Sequence, residues 1–129
     1  MTVLERVPGQ SPLLPGAVRY GDLVVTSGMV APSALAGDPS PGPDFSPGLD
    51  FRDEADEALA TLLAALARFG VGPDRIIRVE AFLADAADVP VWNDAFRAIW
   101  PEPGPARTTL VSQFAAPGIR IEVQAIAAA

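Results

Sequence analysis

The last quarter of the chain, residues 104–127, limits the choice of fold most, because it contains two strand-like runs joined by a Pro-Gly turn. Side chains alternate between the two faces of a strand, so Arg107 and Thr109 share one face of the first run. In the second run, Glu122 lies on the face opposite its two immediate apolar neighbours. A hairpin of the two runs would bring Arg107 and Glu122 near each other on one sheet face. The pair could be a structural ion pair, or a carboxylate clamp beside a proton-transfer group.

The residue types that the chain lacks limit its chemistry. It has no Cys, no His and no Lys, and all nine of its cations are Arg. This composition excludes thiol and imidazole nucleophiles, Schiff-base lysines and a P-loop lysine. It also excludes zinc sites built from Cys and His, and no carboxylate run has the spacing of a calcium loop. An enzyme of this composition would have to use Arg, carboxylates, hydroxyls, amides or backbone groups.

Length and charge limit the class of protein and its partners. A chain of 129 residues fits one domain, residues 1–129, with a modest core. The net charge of −7 and the scattered arginines oppose nucleic-acid binding, which requires a dense basic patch. No apolar run reaches the roughly 18 residues of a membrane span, and the first residues lack the pattern of a secretory signal. We therefore expect neither a nucleic-acid nor a membrane partner, and a cytoplasmic location.

Hydrophobic periodicity and turn residues predict the element order β-β-β-α-β-α-β-β. A Gly21-Asp22 turn joins the second and third strands, and Gly28 follows where a bulge or a close backbone approach is expected. The predicted strands are residues 2–6, 18–20, 23–27 and 74–83 together with the two C-terminal runs, and the predicted helices begin at Asp50 and Asp88.

Residues 50–69 form the clearest predicted element, an amphipathic helix. Asp50 is a suitable N-cap, and Gly70 is a natural residue just beyond the last turn. Acidic residues near the helix start could be read as a metal site, but the positive end of the helix dipole explains them better. These residues are Asp53, Glu54, Asp56 and Glu57.

The second helix places Trp92, Phe96 and Trp100 on its apolar stripe and ends before Pro101. The two tryptophans are expected to pack in the core or at an interface rather than to form a cofactor platform. Asn93 lies beside the stripe, near its edge, where both a surface role and a pocket role are open.

Strands interleaved with two helices predict an α+β fold in which both helices cover one face of the sheet. The other face would carry Arg107 and Glu122 beside apolar residues such as Val111 and Ile126. Exposed apolar area of this kind predicts self-association into a closed symmetric oligomer. The Pro-rich segment at residues 39–48 predicts a surface loop, with a lid over a pocket as the alternative.

Several segments, taken together, resemble a known family in their order and spacing. They are Val24-Val-Thr-Ser-Gly28, the Asp-capped helix ending in Phe-Gly, Arg78-Val-Glu-Ala-Phe-Leu-Ala-Asp85, Val91-Trp-Asn-Asp-Ala-Phe96, Pro105-Ala-Arg-Thr-Thr109 and Ile121-Glu-Val-Gln-Ala-Ile-Ala127. The chain thus resembles the Rid family, also called the YjgF or UK114 family, of reactive-intermediate deaminases. The resemblance covers nearly the whole chain from Pro15 onward.

The resemblance implies a chorismate-mutase-like fold and a homotrimer with pockets at the clefts between subunits. Well-studied members hydrolyse 2-aminoacrylate and related enamines or imines to 2-oxo acids and ammonia, without metal or organic cofactor. For this chain the resemblance therefore implies a small 2-imino or 2-oxo acid as ligand.

The site residues implied by the resemblance are these. Arg107 matches the arginine that holds the substrate carboxylate, and Glu122 matches the carboxylate that positions or activates water. The matching pocket positions are Ser27 with Gly28 beside it, Asn93 and Thr109. The chemistry agrees, because Arg can hold a planar carboxylate through two parallel hydrogen bonds. One carboxyl group with a suitably placed water can serve both water addition and proton delivery to the departing nitrogen.

The sequence departs from the family pattern at two positions. Active deaminases often carry a Tyr in a Gly-Pro-Tyr segment before the first hairpin, where this chain has Leu14, and Tyr20 lies six residues later. The second acidic position of the C-terminal strand is Gln124. These departures bear on the substrate more than on the fold.

Three functions follow from these observations, with the imine deaminase first. The second is a non-catalytic trimeric protein that binds small carboxylates. The third is a ribonuclease or translation inhibitor, a label that the family often carries. The acidic charge and the lack of His and Lys oppose the third function.

Overall fold

A computed structural model of the chain describes residues 2–35 and 49–129. Its strands are β1 (Leu4–Val7), β2 (Ala17–Tyr20), β3 (Leu23–Thr26), β4 (Ile76–Leu83), β5 (Ala106–Val111) and β6 (Ile121–Ala128). Its helices are α1 (Pro32–Leu35), α2 (Phe51–Ala67) and α3 (Val89–Ile99), and 3-10 turns precede β4 (Pro73–Arg75) and α3 (Ala86–Asp88). The predicted element order is confirmed, with the one-turn helix α1 as an addition.

The strands form one mixed six-stranded sheet in the order β1-β2-β3-β6-β4-β5. Every neighbouring pair is antiparallel except β4 and β5, which are parallel. Parallel neighbours need a crossover connection, which α3 provides here. Helices α2 and α3 cover one face of the sheet, as predicted, and the opposite face is called the open face below.

The predicted hairpin of the two C-terminal runs is wrong. β6 lies between β3 and β4, and β5 lies at the sheet edge beside β4. The burial pattern gives the reason: every second residue of β6 is buried, whereas no residue of β5 is. A strand with one continuous apolar face is stabilised most in the middle of the sheet, beneath both helices.

Helix α2 forms as its sequence pattern predicts. The side chain of Asp50 accepts a hydrogen bond from the backbone N of Asp53 at 2.8 Å, which satisfies one free N–H of the first turn. Gly70 has a φ of 71°, a conformation that favours glycine just after a helix end. The helix buries Leu59, Leu62 and Leu66 completely against the sheet, and each such burial contributes about 2 kcal/mol.

Helix α3 carries a row of aromatic side chains into the core. Trp92 and Phe96 have ring centroids 5.8 Å apart, and Phe96 and Trp100 have centroids 4.8 Å apart. The indole N–H of Trp100 donates to the carbonyl of Pro73 at 2.9 Å. The core role predicted for both tryptophans is therefore confirmed. Asp88 is the N-cap residue but makes no side-chain capping bond.

The remaining predictions have mixed outcomes. The Gly21 turn is confirmed, since Gly21 has a φ of 60° between β2 and β3. The predicted loop or lid at residues 39–48 lies outside the described residues. Within residues 2–35 and 49–129, none of the helices has the length and apolar character needed to cross a bilayer.

Candidate functional site

Arg107 lies in the edge strand β5 and extends over α3. It is in register with Val79 of β4, which is fully buried beneath the helices, so both side chains lie on the helix-covered face. The Arg107 guanidinium carbon lies 4.6 Å from the ring centroid of Phe96 and 5.9 Å from that of Trp92. These distances are typical of cation–π contacts. The two aromatic rings therefore form a platform for the cation.

Polar groups fix the guanidinium on this platform. Its Nη2 donates to Oδ1 of Asn93 at 2.5 Å and to Oγ1 of Thr109 at 3.4 Å. The indole N–H of Trp92 donates to the same Thr109 hydroxyl at 3.1 Å. Three of the residues predicted for the site, Arg107, Asn93 and Thr109, are thus brought together by β5 and α3.

Arg107 has no carboxylate partner among residues 2–35 and 49–129. Partial burial lowers the pKa of Arg107 from its ordinary value, and the charge of nearby Arg97 lowers it further. A guanidinium remains protonated in proteins even so. An unpaired, partly desolvated cation with free N–H donors is a suitable receptor for a small anion.

Glu122 lies in β6 on the open face of the sheet, in register with Phe82. Gly28, just after β3, lies against it: a Cβ placed on Gly28 would be only 2.8 Å from the Cδ and Oε2 atoms of Glu122. Real side chains do not approach this closely, so residue 28 must be glycine for Glu122 to adopt this position. The close backbone approach predicted for Gly28 is confirmed.

Ser27 lies half-buried between β3 and Gly28. Its backbone N–H donates to the carbonyl of Gly16 at 3.4 Å, and its hydroxyl has no hydrogen-bond partner among the described residues. Ser27 precedes Gly28, which lies against Glu122, and among the described residues no hydrogen bond joins Ser27 to Arg107.

The expectation that Arg107 and Glu122 share one sheet face is wrong. Arg107 is in register with Val79 and, through it, with Ala125, whereas Glu122 lies three residues away on the opposite face. Two strand spacings and three residues along the strand separate their Cα atoms by about 14 Å. The chain therefore presents two separate groups of candidate site residues, called the two half-sites below, with Arg107 in the first and Glu122 in the second.

Gln124, the residue that replaces a family carboxylate, belongs to a polar network on the open face. Its amide donates to Glu80 at 2.9 Å, and Arg78 donates to the other oxygen of Glu80 at 3.0 Å. Arg78 also donates to the hydroxyl of Thr108. These hydrogen bonds, that of Gln124 first, lower the pKa of Glu80. A carboxylate at position 124 would repel Glu80, so the amide suits this network. The network borders a cavity of about 140 Å³.

Leu14 and Tyr20, the other positions where the family pattern differs, lie apart from each other. Leu14 is exposed and forms an isolated bridge with Ser11 before β2. Tyr20 is the last residue of β2, also exposed, and is in register with Leu23. The structure gives Tyr20 no contact with Arg107 or Glu122 through which it could replace a tyrosine at position 14.

Glu54 has a role that the sequence analysis missed, in addition to its predicted place in the first turn of α2. It counts among the acids that face the helix dipole, yet its side chain is buried and bonded to Arg120. The sequence does indicate that Glu54 is buried, because Glu54 lies four residues before Ala58 on the apolar stripe of α2. A carboxylate on such a stripe must have a partner in the core.

Two of the other acidic residues near the start of α2 also have partners. Asp56 pairs with Arg52 at 3.0 Å, and Glu57 accepts hydrogen bonds from the backbone and hydroxyl of Ser33. In the described part of the chain, no three acidic residues come together as metal ligands would.

Comparison with known proteins gives a consistent result. The family model described as Endoribonuclease L-PSP matches residues 8–129. A Dermatophagoides farinae protein named 2-iminobutanoate/2-iminopropanoate deaminase is 26% identical over 110 residues, which are 85% of this chain and 80% of that protein. Protein mmf2, mitochondrial, of Schizosaccharomyces pombe is 28% identical over 115 residues, 87% of this chain and 84% of that protein.

Solved structures share the fold. A Mycobacterium tuberculosis protein described as a member of the YjgF/YER057c/UK114 family superposes with a TM-score of 0.80 at 20% identity. The match covers 98% of this chain and 100% of that one. At this identity the likeness shows that the two chains have the same fold.

Proposed function

Because the chain belongs to the endoribonuclease L-PSP family, also called the YjgF/UK114 family, we propose that it hydrolyses small 2-imino acids and their enamine tautomers. The products are 2-oxo acids and ammonia, and no cofactor is required. One observation carries the proposal: Arg107, held by Asn93 and two aromatic rings, has no carboxylate partner among the described residues. The name of the Dermatophagoides farinae relative supports the same substrate class.

The proposed chemistry uses two groups of the chain. Arg107 holds the substrate carboxylate through parallel hydrogen bonds, which fixes the position of C2. Glu122 takes a proton from water as the water oxygen adds to C2. It delivers that proton to the imine nitrogen, so that a carbinolamine with one OH and one NH₂ group forms at C2. The carbinolamine O–H proton then passes through Glu122 to the nitrogen, the C–N bond breaks to release ammonia, and the C=O bond forms. The summed reaction is imino acid plus water giving oxo acid plus ammonia.

The opposite placement of Arg107 and Glu122 supports a site formed by two protomers. The open face that carries Glu122 also presents the exposed apolar side chains Leu23, Val25 and Leu110. Apolar area of this kind favours a symmetric assembly. We propose a homotrimer in which Arg107 of one subunit and Glu122 of the next face a common cleft.

The direct test is the rate of 2-oxo acid release from 2-aminoacrylate or an imino acid generated in situ. We expect the protein to accelerate release, and Arg107→Ala to lower kcat/KM about 100-fold, because a charge-assisted pair contributes about 3 kcal/mol. Arg52→Ala removes a cation from an exposed ion pair on α2 and serves as the matched control. A wild-type rate equal to the uncatalysed rate across a panel of imino acids would refute the proposal.

A second function, non-catalytic binding of small carboxylates, is favoured by Leu14, which stands where active deaminases often have Tyr. A binding protein would use the Arg107 half-site alone. It would show a rise in Tm with 2-oxobutanoate that Arg107→Ala abolishes, without turnover of any imino acid.

The ribonuclease activity in the family name receives no support from this chain. Its net charge is −7 and it has neither His nor Lys. We expect no RNA binding at low salt, where phosphate contacts are strongest. The expected cytoplasmic location stays a prediction, because the Schizosaccharomyces pombe relative is named as a mitochondrial protein.

A further inference from the structure

Glu54 is a buried carboxylate that contacts β6 rather than solvent. It lies in the first turn of α2 with only 2% of its surface exposed. Its Oε2 accepts hydrogen bonds from the backbone N of Arg120 at 2.8 Å and of Ile121 at 3.2 Å. Its Oε1 accepts from Nε of Arg120 at 3.0 Å. One side chain thus binds three donors where β6 begins.

The hydrogen bonds of Glu54 end one residue before Glu122. On the other side of Glu122, the backbone N of Val123 donates to the carbonyl of Met29 at 2.9 Å, and the N of Met29 donates back at 2.7 Å. The backbone of Glu122 is therefore held between two anchors, Glu54 and Met29. Gly28 then limits where the Glu122 carboxylate can lie.

Arg120 connects this anchor to the start of α2. Besides its bond to Glu54, its Nη2 donates to the carbonyl of Leu49, next to the N-cap. Its own carbonyl accepts from the backbone N of Ala84 at 3.0 Å, just after β4. The residue before β6 is thereby tied to both the helix layer and the neighbouring strand.

Only glutamate satisfies all the donors at position 54. An apolar side chain would leave the backbone N–H groups of Arg120 and Ile121 buried without acceptors. Glutamine could accept from both with its amide oxygen, but its NH₂ group would then face the Arg120 guanidinium. A buried ion pair contributes little to stability relative to apolar packing, whereas it can specify one arrangement.

We propose that Glu54 is a positioning residue, which acts through the backbone of β6 to place the Glu122 carboxylate. The inference rests on the proposed function, in which Glu122 handles the water. In this arrangement Glu54 touches no substrate and affects the chemical step rather than carboxylate binding at Arg107.

The kinetic test measures Glu54→Gln and Glu54→Leu in the wild-type and Glu122→Gln backgrounds. In the wild-type background we expect kcat per folded protein to fall about 10- to 100-fold, since small misplacements of a catalytic group are costly. KM should change less than about twofold, because Arg107 is untouched. In the Glu122→Gln background the same changes should lower kcat no further. Equal losses in both backgrounds would overturn the proposal and show a purely structural role.

Asp56→Asn is the matched control, because it breaks an exposed ion pair on the same helix. If Glu54→Leu does not fold, Glu54→Gln decides the result, since it keeps the side-chain shape while its NH₂ group meets the Arg120 guanidinium and disturbs the start of β6.

A second measurement does not depend on turnover. In protein labelled with ¹³C at glutamate carboxyl groups, Glu54→Gln should shift the Glu122 signal, whereas Asp56→Asn should not. An unchanged Glu122 signal in Glu54→Gln would refute the positioning role, whatever the activity. A shifted signal in a protein that hydrolyses no imino acid would instead refute the proposed function and leave the Glu54–Glu122 coupling established.

Discussion

The position of the Glu122 carboxylate depends on a residue that has no side chain. Gly28 leaves space that the Cδ and Oε2 atoms of Glu122 fill, at 2.8 Å from where a Cβ would be. The sequence indicates a special role for Gly28, because glycine directly after a strand is typical of close backbone approach. It cannot indicate which atoms approach, since Glu122 lies almost a hundred residues away in the chain.

We expect Gly28→Ala to displace the Glu122 carboxylate and lower kcat about 10- to 100-fold with a small change in stability. Glu122→Asp shortens the side chain that carries the carboxylate. Adding Gly28→Ala in that background should therefore lower kcat much less than it does in the wild type. Steady-state kinetics and Tm of the variants check this prediction.

Gly72→Ala is the control for Gly28→Ala. A Cβ at Gly72 would also meet a carboxylate oxygen, that of Asp74 at 3.0 Å, but at an exposed turn far from Glu122. A loss of activity as large in Gly72→Ala as in Gly28→Ala would contradict the steric explanation.

At the scale of elements, local pattern predicts the helices and strands but not their neighbours. The Asp50 cap and the Gly70 end of α2 follow from interactions within a few residues, and both are confirmed. The strands that pair with β6 depend instead on burial. Because β6 has a continuous apolar face, it is most stable in the centre of the sheet beneath α2. Strands that follow one another in the sequence, such as β5 and β6, usually pair in the sheet, but these two do not.

The difference between local sequence pattern and long-range strand pairing also explains why the residues of the first half-site are predictable and its position relative to Glu122 is not. Arg107, Asn93 and Thr109 meet because one crossover places α3 over β5, so short-range pattern and family spacing suffice to select them. The face on which Arg107 lies relative to Glu122 depends on the register of β4 with both β5 and β6. A one-residue change of register inverts the face, and composition does not determine register.

The network of Glu80 on the open face links β4, β5 and β6 and gives a pH-dependent prediction. The folded state lowers the pKa of Glu80 from its ordinary value of 4.5, chiefly through the Gln124 hydrogen bond and then through Arg78. This stabilisation is present above pH 4.5 and is lost as the pH falls through the lowered pKa.

We therefore expect Glu80→Gln to lower Tm by a few degrees at pH 7, because Arg78 loses its charged partner. The difference from wild type should shrink as the pH falls below 4.5. The Tm difference is measured by thermal unfolding of both proteins between pH 7 and pH 3. Asp94→Asn, which breaks the exposed ion pair with Arg97, serves as the control. A difference that stays constant over this range would show that Glu80 ionisation does not contribute.

At the scale of the whole molecule, the proposed homotrimer with a cleft shared by two subunits predicts complementation between variants. Arg107→Ala and Glu122→Ala should each have little activity alone, because each proposed homotrimer would lack one group in every cleft. Unfolded together and refolded as a mixture of equal parts, they should recover about one quarter of wild-type activity, since a random cyclic assembly makes that share of clefts intact.

The control for complementation is each variant refolded alone, with the trimer checked by light scattering. No recovered activity in mixed trimers would show that Arg107 and Glu122 do not act across a subunit boundary.

The central position of β6 also has a consequence for how the molecule forms. β6 is the last of the six strands to leave the ribosome, yet both β3 and β4 depend on it for hydrogen bonds. Until it inserts, the edges of β3 and β4 that pair with β6 keep unpaired backbone N–H and C=O groups, and such edges favour aggregation. Sheet formation is therefore a late, non-local event, and the chain should fold slowly for its size. The strand that carries Glu122 is the one that completes the fold.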